Sequence, residues 1–254
     1  MKALILAAGL GTRLRPLTDR MPKALVPVAG QPLLHHTIHT LRKAGATSIV
    51  VNVHHFAEQI VHYLSTHDFG LPIHISDESQ QLLNTGGAIR HAANLLCNEG
   101  NNGDEPVLVH NVDILSNANL PALIEAHRQN GAQATLLVSR RNSTRQLLIN
   151  PSTQRLCGWT HLETGEVRPT DVPQPIEQLE QRAFGGIHIL SPQLIREMQS
   201  WPEAFSIIDF YLEKCSKHPL FCHEQAQLQL LDVGKTGALE AAAAFLEELQ
   251  KQEQ

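Results

Sequence analysis

Short apolar runs alternate with amphipathic stretches along the first half of the chain. β-Branched and apolar runs predict buried strands, and apolar residues at helical spacing between them predict helices. The predicted strands are Ala3–Ala8, Ser48–Val53, Leu71–Ser76, Pro106–His110 and Gln133–Ser139. The predicted helices are Pro32–Ala44, Phe56–Leu64, Thr85–Leu96 and Leu120–Gln129. This alternation predicts an α/β fold with one Rossmann-like, doubly wound, mainly parallel sheet, whose ligands bind at the carboxyl ends of the strands.

The pattern changes between residues 140 and 182. Strand signals on either side of the turn Asn150-Pro151-Ser152-Thr153 predict a small antiparallel hairpin, and the Pro- and Glu-rich stretch 164–181 predicts a mobile segment. A strand returns at Phe184, and further helix and strand signals follow it. The later predicted elements are a helix over 192–199, strands over 220–224 and 228–231, and a helix over 238–250. We expect one domain over residues 1–254, with residues 140–183 as an insertion at the ligand edge.

The loop after the first predicted strand, residues 8–16, has the composition of a phosphate-binding loop, and we call it the glycine loop. Gly9 and Gly11 let the backbone come close to a ligand and point its N–H groups at anionic oxygens. Arg13, Arg15 and Lys23 add positive charge. A dinucleotide fingerprint would need a third glycine, and a Walker A loop would need Gly-Lys-Ser/Thr before a helix. The sequence therefore predicts triphosphate binding by a different kind of loop.

Two aspartates stand at predicted strand ends. Asp113 follows the fourth strand, and Asp232 follows the strand predicted over 228–231. Carboxylates at the ligand edge of a parallel sheet are the hard oxygen ligands that Mg²⁺ prefers. Each aspartate could instead form an Asx turn or a helix cap. We predict that both hold Mg²⁺.

The string G-L-G-T-R-L-R-P-L-T at residues 9–18, followed by P-K at 22–23, resembles the signature of the sugar-1-phosphate nucleotidyltransferases. The resemblance implies a nucleotidyltransferase fold that binds a nucleoside triphosphate and a sugar 1-phosphate with Mg²⁺. It implies catalytic roles for Arg13 and Lys23, metal ligation by Asp113 and Asp232, and contact of Gly186 with the sugar. The nucleotide-binding residues that it implies are Ala8, Gly9, Gly11, Thr12, Arg13, Lys23, Gly86 and Asn111.

Three further segments resemble the family's pattern. T-G-G at 85–87 matches a segment near the nucleobase, although Thr85 could equally be a helix N-cap. The stretch from Phe184 matches F-x-G on the sugar side of the cleft, so the insertion 140–183 is expected on that side. L-D-V-G-K-T-G at 231–237 matches a segment that normally carries a tryptophan, and Val112 replaces a glycine beside Asp113.

The resemblance indicates the reaction class more directly than it indicates the substrates. The larger thymidylyl- and uridylyltransferases carry an E-K-P segment that is missing between Arg140 and Phe184. The chain is most similar to compact N-acetylmuramate-1-phosphate uridylyltransferases, which implies UTP and N-acetylmuramate 1-phosphate. Enzymes like mannose-1-phosphate guanylyltransferase or phosphocholine cytidylyltransferase are alternatives, and so is a non-catalytic subunit that binds nucleotide sugars.

Composition and charge limit the other functions. A net charge of −5 and a pI near 6.3 exclude a general nucleic-acid surface, which needs a basic face. No apolar run is long enough to span a membrane, and the chain opens on a core strand without a signal-peptide pattern, so we expect a cytoplasmic protein. Cys215, His218, Cys222 and His223 lie close in sequence, but their spacing matches no common zinc pattern.

Overall fold

The computed structural model describes residues 1–97, 105–234 and 237–252. The loop expected between Asn98 and Glu105 lies outside the described residues except at its last position, as do Lys235 and Thr236 of the 231–237 motif. In the described part of the chain the strands are β1 Lys2–Leu6, β2 Pro27–Val28, β3 Gln31–Pro32, β4 Ser48–Val53, β5 Ile73–Asp77, β6 Val107–Asn111, β7 Ile114–Ser116, β8 Ala134–Ser139, β9 Arg145–Ile149, β10 Leu156–His161, β11 Glu166–Arg168, β12 Glu180–Leu190, β13 Leu220–Glu224 and β14 Leu230–Asp232.

Helices connect these strands, and most of them start and end where the sequence indicates. The Asn119 carboxamide caps α5 by accepting from the Ala122 N–H at 3.0 Å, and the Ser191 hydroxyl caps α6. The helix predicted over 85–96 is split at Ala92 into α3 and α4. The helices are α1 Leu33–Lys43, α2 Ala57–Thr66, α3 Asn84–His91, α4 Ala93–Leu96, α5 Leu120–Gln129, α6 Pro192–Glu197, α7 Ile207–Lys214 and α8 Ala238–Gln252.

A ten-stranded sheet forms the centre of the molecule. β5, β4, β1 and β6 are parallel neighbours, with Ala3 opposite both Ile49 and Leu108. β12 runs antiparallel to β6 and β8, and β13 is parallel to β8, so β12 alone reverses direction among these seven strands. The predicted mainly parallel sheet is confirmed, and the carboxyl ends of β1, β4 and β6 lie at one edge.

Helices cover both faces of this sheet, which makes it doubly wound. Side chains of β1 alternate between two cores: Ile5 packs with helices α1, α2, α5 and α8, while Leu4 packs with α3, α4, α6 and α7. Period-two alternation on a strand with two covered faces gives an apolar run without polar positions. β1 nevertheless ends at Leu6, two residues before the predicted end, so Ala7 and Ala8 belong to the loop.

Residues 145–168 form an antiparallel meander at the other end of the sheet. β9 pairs with β10 as predicted, and β10 also pairs with β11, which places Trp159 opposite Arg168. The sequence indicated no strand within 164–181, so β11 is a correction. Its one apolar side chain, Val167, packs on a small satellite core with Leu148 and Cys157, which is too little apolar sequence to give a periodic signal. The single-domain assignment of 1–254, with 140–183 inserted, stays a prediction.

Within the described residues, no helix is long and apolar enough to cross a membrane. The same residues contain no group of three or more His, Cys, Asp or Glu side chains that could hold a metal ion. The candidate zinc set near Cys215 therefore does not form such a group. Cys157, Cys215 and Cys222 are buried thiols, and burial raises the pKa of each above that of a free cysteine.

Candidate active site

A cavity of about 400 Å³ opens at the carboxyl ends of β1, β4 and β6. Its position at the ligand edge of a doubly wound sheet is where such folds bind ligands. None of the residues 140–183 lines it. Its lining residues are Leu6, Ala8, Gly9, Lys23, Asn52, Glu78, Leu82, Asn84, Thr85, Ala88, Asn111, Val112, Asp113 and Ser206.

Part of the predicted nucleotide site lies on this cavity. Ala8, Gly9, Lys23, Asn111 and Asp113 line it, whereas Gly11, Thr12 and Arg13 lie further along the glycine loop, in or next to a 3₁₀ turn over Thr12–Leu14. Thr12 and Arg13 are exposed there. The structure therefore brings together the beginning of the loop and the strand-end residues, and leaves Arg13 exposed and outside the cavity lining.

Gly11 has a conformational reason to be glycine. Its φ is +65°, and a Cβ at this position would lie 2.8 Å from the Thr18 methyl group and 3.0 Å from Lys23 Cβ. The hydroxyl of Thr18 donates to the Gly11 carbonyl at 2.8 Å and holds the loop over Lys23. The missing side chain of Gly11 thus lets the loop pack against the segment that carries Lys23.

Lys23, Asp113 and Asp232 converge on one point beside the cavity. The Lys23 ammonium, whose residue is only 8% exposed, forms an ion pair with the Asp113 carboxylate. A Cβ on Gly234 would contact Lys23 Nζ and lie 2.9 Å from Asp113 Oδ2 and 3.0 Å from Asp232 Oδ1. Both carboxylates therefore meet at the Gly234 Cα, as the two strand-end positions predicted.

Strand pairing explains this convergence. β7 follows Asp113 directly and pairs with β14 in antiparallel register, which places Asp232 opposite Ile114. The Val233 N–H donates to the Asp113 carbonyl at 2.9 Å, and the Gly234 N–H donates to Asp232 Oδ1 at 2.9 Å. Two carboxylates beside the glycine loop are a donor set that would fit Mg²⁺, which prefers hard oxygen ligands.

Gly186 lies behind Asn111 and outside the cavity lining. Its φ is +75°, and a Cβ would lie 2.9 Å from Asn111 Nδ2. The neighbouring His110 donates from Nδ1 to the Asn111 carbonyl at 2.8 Å, and burial lowers the pKa of His110 to about 4. A neutral His110 adds no positive charge to the site, and among the described residues that line the cavity the cationic side chain is Lys23.

Gly86 is not a cavity residue. A Cβ there would collide with the Phe205 ring, and the Gly86 N–H donates to the Phe205 carbonyl at 2.9 Å. The Thr85 hydroxyl accepts from the Ile207 N–H at 3.0 Å, so Thr85 joins α3 to α7 and does not cap its own helix. The N-cap alternative for Thr85 is wrong, and the Phe205 ring gives a packing reason for the glycine at position 86, whose nucleotide contact stays a prediction.

Asn52 and Glu78 are among the cavity residues that were missed from the sequence. Asn52 Oδ1 accepts from the Ala7 N–H at 2.5 Å and from the Ala8 N–H at 3.3 Å, and its Nδ2 donates to Glu78 Oε1 at 2.9 Å. Burial raises the pKa of Glu78, opposed by the hydrogen bonds from Asn52 and Leu83. The available signal was a polar residue at the end of an apolar run, V-V-N-V for Asn52.

Sequence comparisons with known proteins identify the family that the motifs of this chain resemble. The profile of the nucleotidyl transferase family matches residues 2–147. N-acetylmuramate alpha-1-phosphate uridylyltransferase of Caulobacter vibrioides is 46% identical over 127 residues, which cover 49% of this chain and 50% of that protein. Mannose-1-phosphate guanyltransferase of Yarrowia lipolytica is 32% identical over 197 residues, covering 77% of this chain and 50% of that protein. The chain thus spans about half the length of the curated relatives it matches.

Solved structures give the same fold. A putative glucose-1-phosphate thymidylyltransferase from Bacillus anthracis, in complex with sucrose, superposes with a TM-score of 0.78 at 18% identity, covering 96% of this chain and 94% of that one. HddC from Yersinia pseudotuberculosis, solved with GMP-PN, gives a TM-score of 0.74 at 20% identity, covering 96% and 99%. The predicted fold class is confirmed. The family profile matches more than half of the residues of this chain, and the chain therefore belongs to the nucleotidyl transferase family.

Proposed function

We propose that this chain transfers a nucleoside monophosphate from a nucleoside triphosphate to a sugar 1-phosphate and releases pyrophosphate. One observation carries the proposal: the Lys23 ammonium and the carboxylates of Asp113 and Asp232 meet at Gly234, and Lys23 and Asp113 line the cavity below the glycine loop. Positive charge and metal-binding oxygens at one point are what the reaction of two anions requires.

The chemistry needs positioning and charge more than a general base. A sugar phosphate is already largely a dianion near neutral pH, because its second pKa is about 6. Its oxygen can attack the α-phosphorus while pyrophosphate leaves from the opposite side. Lys23, buried at the cavity wall, would meet the α-phosphate or the attacking phosphate, and the exposed Arg13 would meet the outer phosphates. Mg²⁺, held by Asp113 and Asp232, would neutralise phosphate charge.

The preferred substrates are UTP and N-acetylmuramate 1-phosphate. The uridylyltransferase of Caulobacter vibrioides has the higher identity, 46%, and the chain lacks the E-K-P segment of larger enzymes. A mannose-1-phosphate guanylyltransferase is a second candidate, because relatives with that name align over 77–80% of the chain. A cytidylyltransferase acting on phosphocholine and a regulatory subunit remain further alternatives, the last opposed by the presence of Arg13, Lys23, Asp113 and Asp232.

A substrate screen tests both levels of the proposal. Pyrophosphate release is measured for UTP, GTP, CTP and dTTP against N-acetylmuramate, mannose, glucose and N-acetylglucosamine 1-phosphates and phosphocholine, with and without EDTA. We expect release that EDTA abolishes, with the highest kcat/KM for UTP and N-acetylmuramate 1-phosphate. A preference for GTP with mannose 1-phosphate would overturn the substrate assignment alone. Nucleotide binding without pyrophosphate from any pair would favour the regulatory subunit.

A further inference from the structure

Two buried side chains connect the segments on the triphosphate side of the cavity. Asn52 lies at the end of β4, and Glu78 follows β5 directly; they are 2% and 3% exposed. Asn52 accepts from Ala7 and Ala8 and donates to Glu78, and Glu78 Oε2 accepts from the Leu83 N–H at 3.3 Å. The bridge therefore runs from the start of the glycine loop to the start of α3.

The bridge satisfies backbone groups that have no strand partner. β1 stays in register with β4 and β6 only as far as Leu6, so the next two N–H groups leave the ladder at a buried position. A buried N–H without an acceptor is costly, and Asn52 Oδ1 is the acceptor for both. The loop can then turn towards the cavity at Gly9 with its backbone direction already fixed.

Glu78 is itself held from several sides. The Glu78 N–H donates to the Val53 carbonyl at 2.8 Å, and the Glu78 carbonyl accepts from His54 Nδ1 at 2.6 Å. Its two carboxylate oxygens receive one hydrogen bond each, from Asn52 and from Leu83. A carboxylate can accept two donors where an amide offers one oxygen, so both the charge and the shape of Glu78 matter for orienting Asn52.

We propose that Asn52 and Glu78 are positioning residues for the nucleoside triphosphate. They fix the start of the glycine loop through Ala7 and Ala8, and the start of α3 through Leu83, next to the cavity residues Asn84 and Thr85. The two ends of the nucleotide site are thus held at a set separation before the ligand arrives, which lowers the ordering cost of binding. This inference rests on the proposed function, since it takes the cavity ligand to be a nucleoside triphosphate.

A charge swap between the two positions tests the bridge. Asn52→Asp places a second carboxylate against Glu78, and Glu78→Gln turns an amide N–H₂ towards a donor, either Asn52 Nδ2 or the Leu83 N–H. The double variant N52D/E78Q restores every hydrogen bond: the new carboxylate accepts from Ala7, Ala8 and the new amide, whose oxygen accepts from Leu83. The matched control is Ser76→Ala, because Ser76 lies opposite Asn52 in β5 and its buried hydroxyl has no hydrogen-bond partner among the described residues.

The readout is the dissociation constant of MgUTP and MgGTP by calorimetry without a sugar phosphate, together with thermal unfolding and the KM of the sugar 1-phosphate. We expect each single variant to bind its best triphosphate at least about tenfold more weakly, the double variant to recover to within about threefold, and S76A to match wild type. The KM of the sugar 1-phosphate should stay within about twofold throughout.

Separate results overturn the two proposals. Folded single variants with wild-type triphosphate affinity, or a folded double variant that does not recover, would overturn the positioning role alone. If both single variants fail to fold, the double variant and S76A still decide, because only a working bridge predicts their near-equal affinity. Wild-type protein that binds neither triphosphate, nor CTP or dTTP, would overturn the proposed function and this inference together.

Discussion

Carboxylates stand at the same edge of the sheet in two regions, and their partners differ. On the cavity side, Asp113 forms an ion pair with the buried ammonium of Lys23, and the carboxylates of Asp113 and Asp232 meet beside the Gly234 Cα. On the insertion side, Glu224 at the end of β13 is held by Arg140 at 2.7 Å and by Arg182 at 2.8 Å. The guanidinium groups lower the pKa of Glu224 against the opposing effect of burial.

The difference shows that a strand-end carboxylate is not a functional signal by itself. Glu224 receives hydrogen bonds from two guanidinium groups and ties the end of β13 to β12, so its charge is already compensated. Asp113 lines the cavity and Asp232 lies beside it, where the proposed Mg²⁺ would add positive charge for a triphosphate and a sugar phosphate. The cavity side is arranged for ligand charge, and the insertion side is arranged to hold strands together.

The largest expected effect separates these two kinds of carboxylate. Asp113→Asn should lower kcat for pyrophosphate release by about a hundredfold or more, because it removes a metal-binding charge. Asp232→Asn should do the same, and the double variant should be far less than multiplicatively worse, since both would serve one metal. Glu224→Gln is the control and should leave kcat within about threefold. An Asp113→Asn protein that turns over normally, or retains the same Mg²⁺ dependence, would contradict the metal assignment.

The second effect compares two glycines that the family pattern assigns to the nucleotide. Gly86→Ala should cost about 1–3 kcal/mol of unfolding free energy, because the new methyl group enters the Phe205 ring. Gly9→Ala has open space around its Cβ and should leave the melting temperature nearly unchanged while weakening triphosphate binding. Thermal unfolding and calorimetry on both variants provide the comparison. A stable G86A protein with weakened nucleotide binding would restore Gly86 to the ligand site.

The sequence predicted the parallel half of the fold well, because each signal there was local. Strand β4 and helix α5 have their predicted bounds, since an apolar run or a capped amphipathic repeat needs no knowledge of distant residues. Asp113 could be placed because strand ends in a parallel sheet share an edge, whereas Asp232 ends β14, which belongs to a separate two-stranded antiparallel sheet with β7. Their convergence at Gly234 then depended only on one strand pair.

The residues that were missed depend on contacts that sequence spacing does not encode. Asn52 forms hydrogen bonds with Ala7, 45 positions away, and with Glu78, 26 positions away. Gly86 matches the family motif, but the Phe205 ring from a distant segment occupies the space that a side chain at this position would need. The short strand β11 escaped because pairing with β10 stabilises it more than its own composition indicates.

The third effect concerns β12, the strand that both regions share. His188 is 1% exposed, its Nδ1 lies 2.7 Å from the Tyr211 hydroxyl, and burial lowers its pKa to about 3, with the nearby His110 adding to the shift. The folded state therefore binds fewer protons than the unfolded chain below about pH 6.5. This stabilisation is full above that pH and is lost as the pH falls towards the folded pKa.

The expected loss from His188 is about 1 kcal/mol of unfolding free energy between pH 7 and about pH 5.5. His188→Gln keeps a partner for Tyr211 and removes the titrating group, so its stability should depend less steeply on pH. His74→Gln, at an exposed position of β5, is the matched control and should keep the wild-type slope. Urea unfolding across this range provides the measurement, and equal slopes in wild type and His188→Gln would contradict the assignment.

The smallest effect lies on the insertion side. Arg168 on β11 lies 4.3 Å above the Trp159 ring and 2.8 Å from Asp209 of α7, at a half-exposed position. A cation over an aromatic ring and an exposed ion pair each contribute little in water, so Arg168→Ala should cost about 0.5–1 kcal/mol. Arg145→Ala on β9 removes an exposed arginine of the same meander and is the control.

Triphosphate affinity should be unchanged in both Arg168→Ala and Arg145→Ala, because neither residue lines the cavity. A change of tenfold or more in the KM of the sugar 1-phosphate for Arg168→Ala alone would contradict this purely structural role and show that the insertion side takes part in sugar binding.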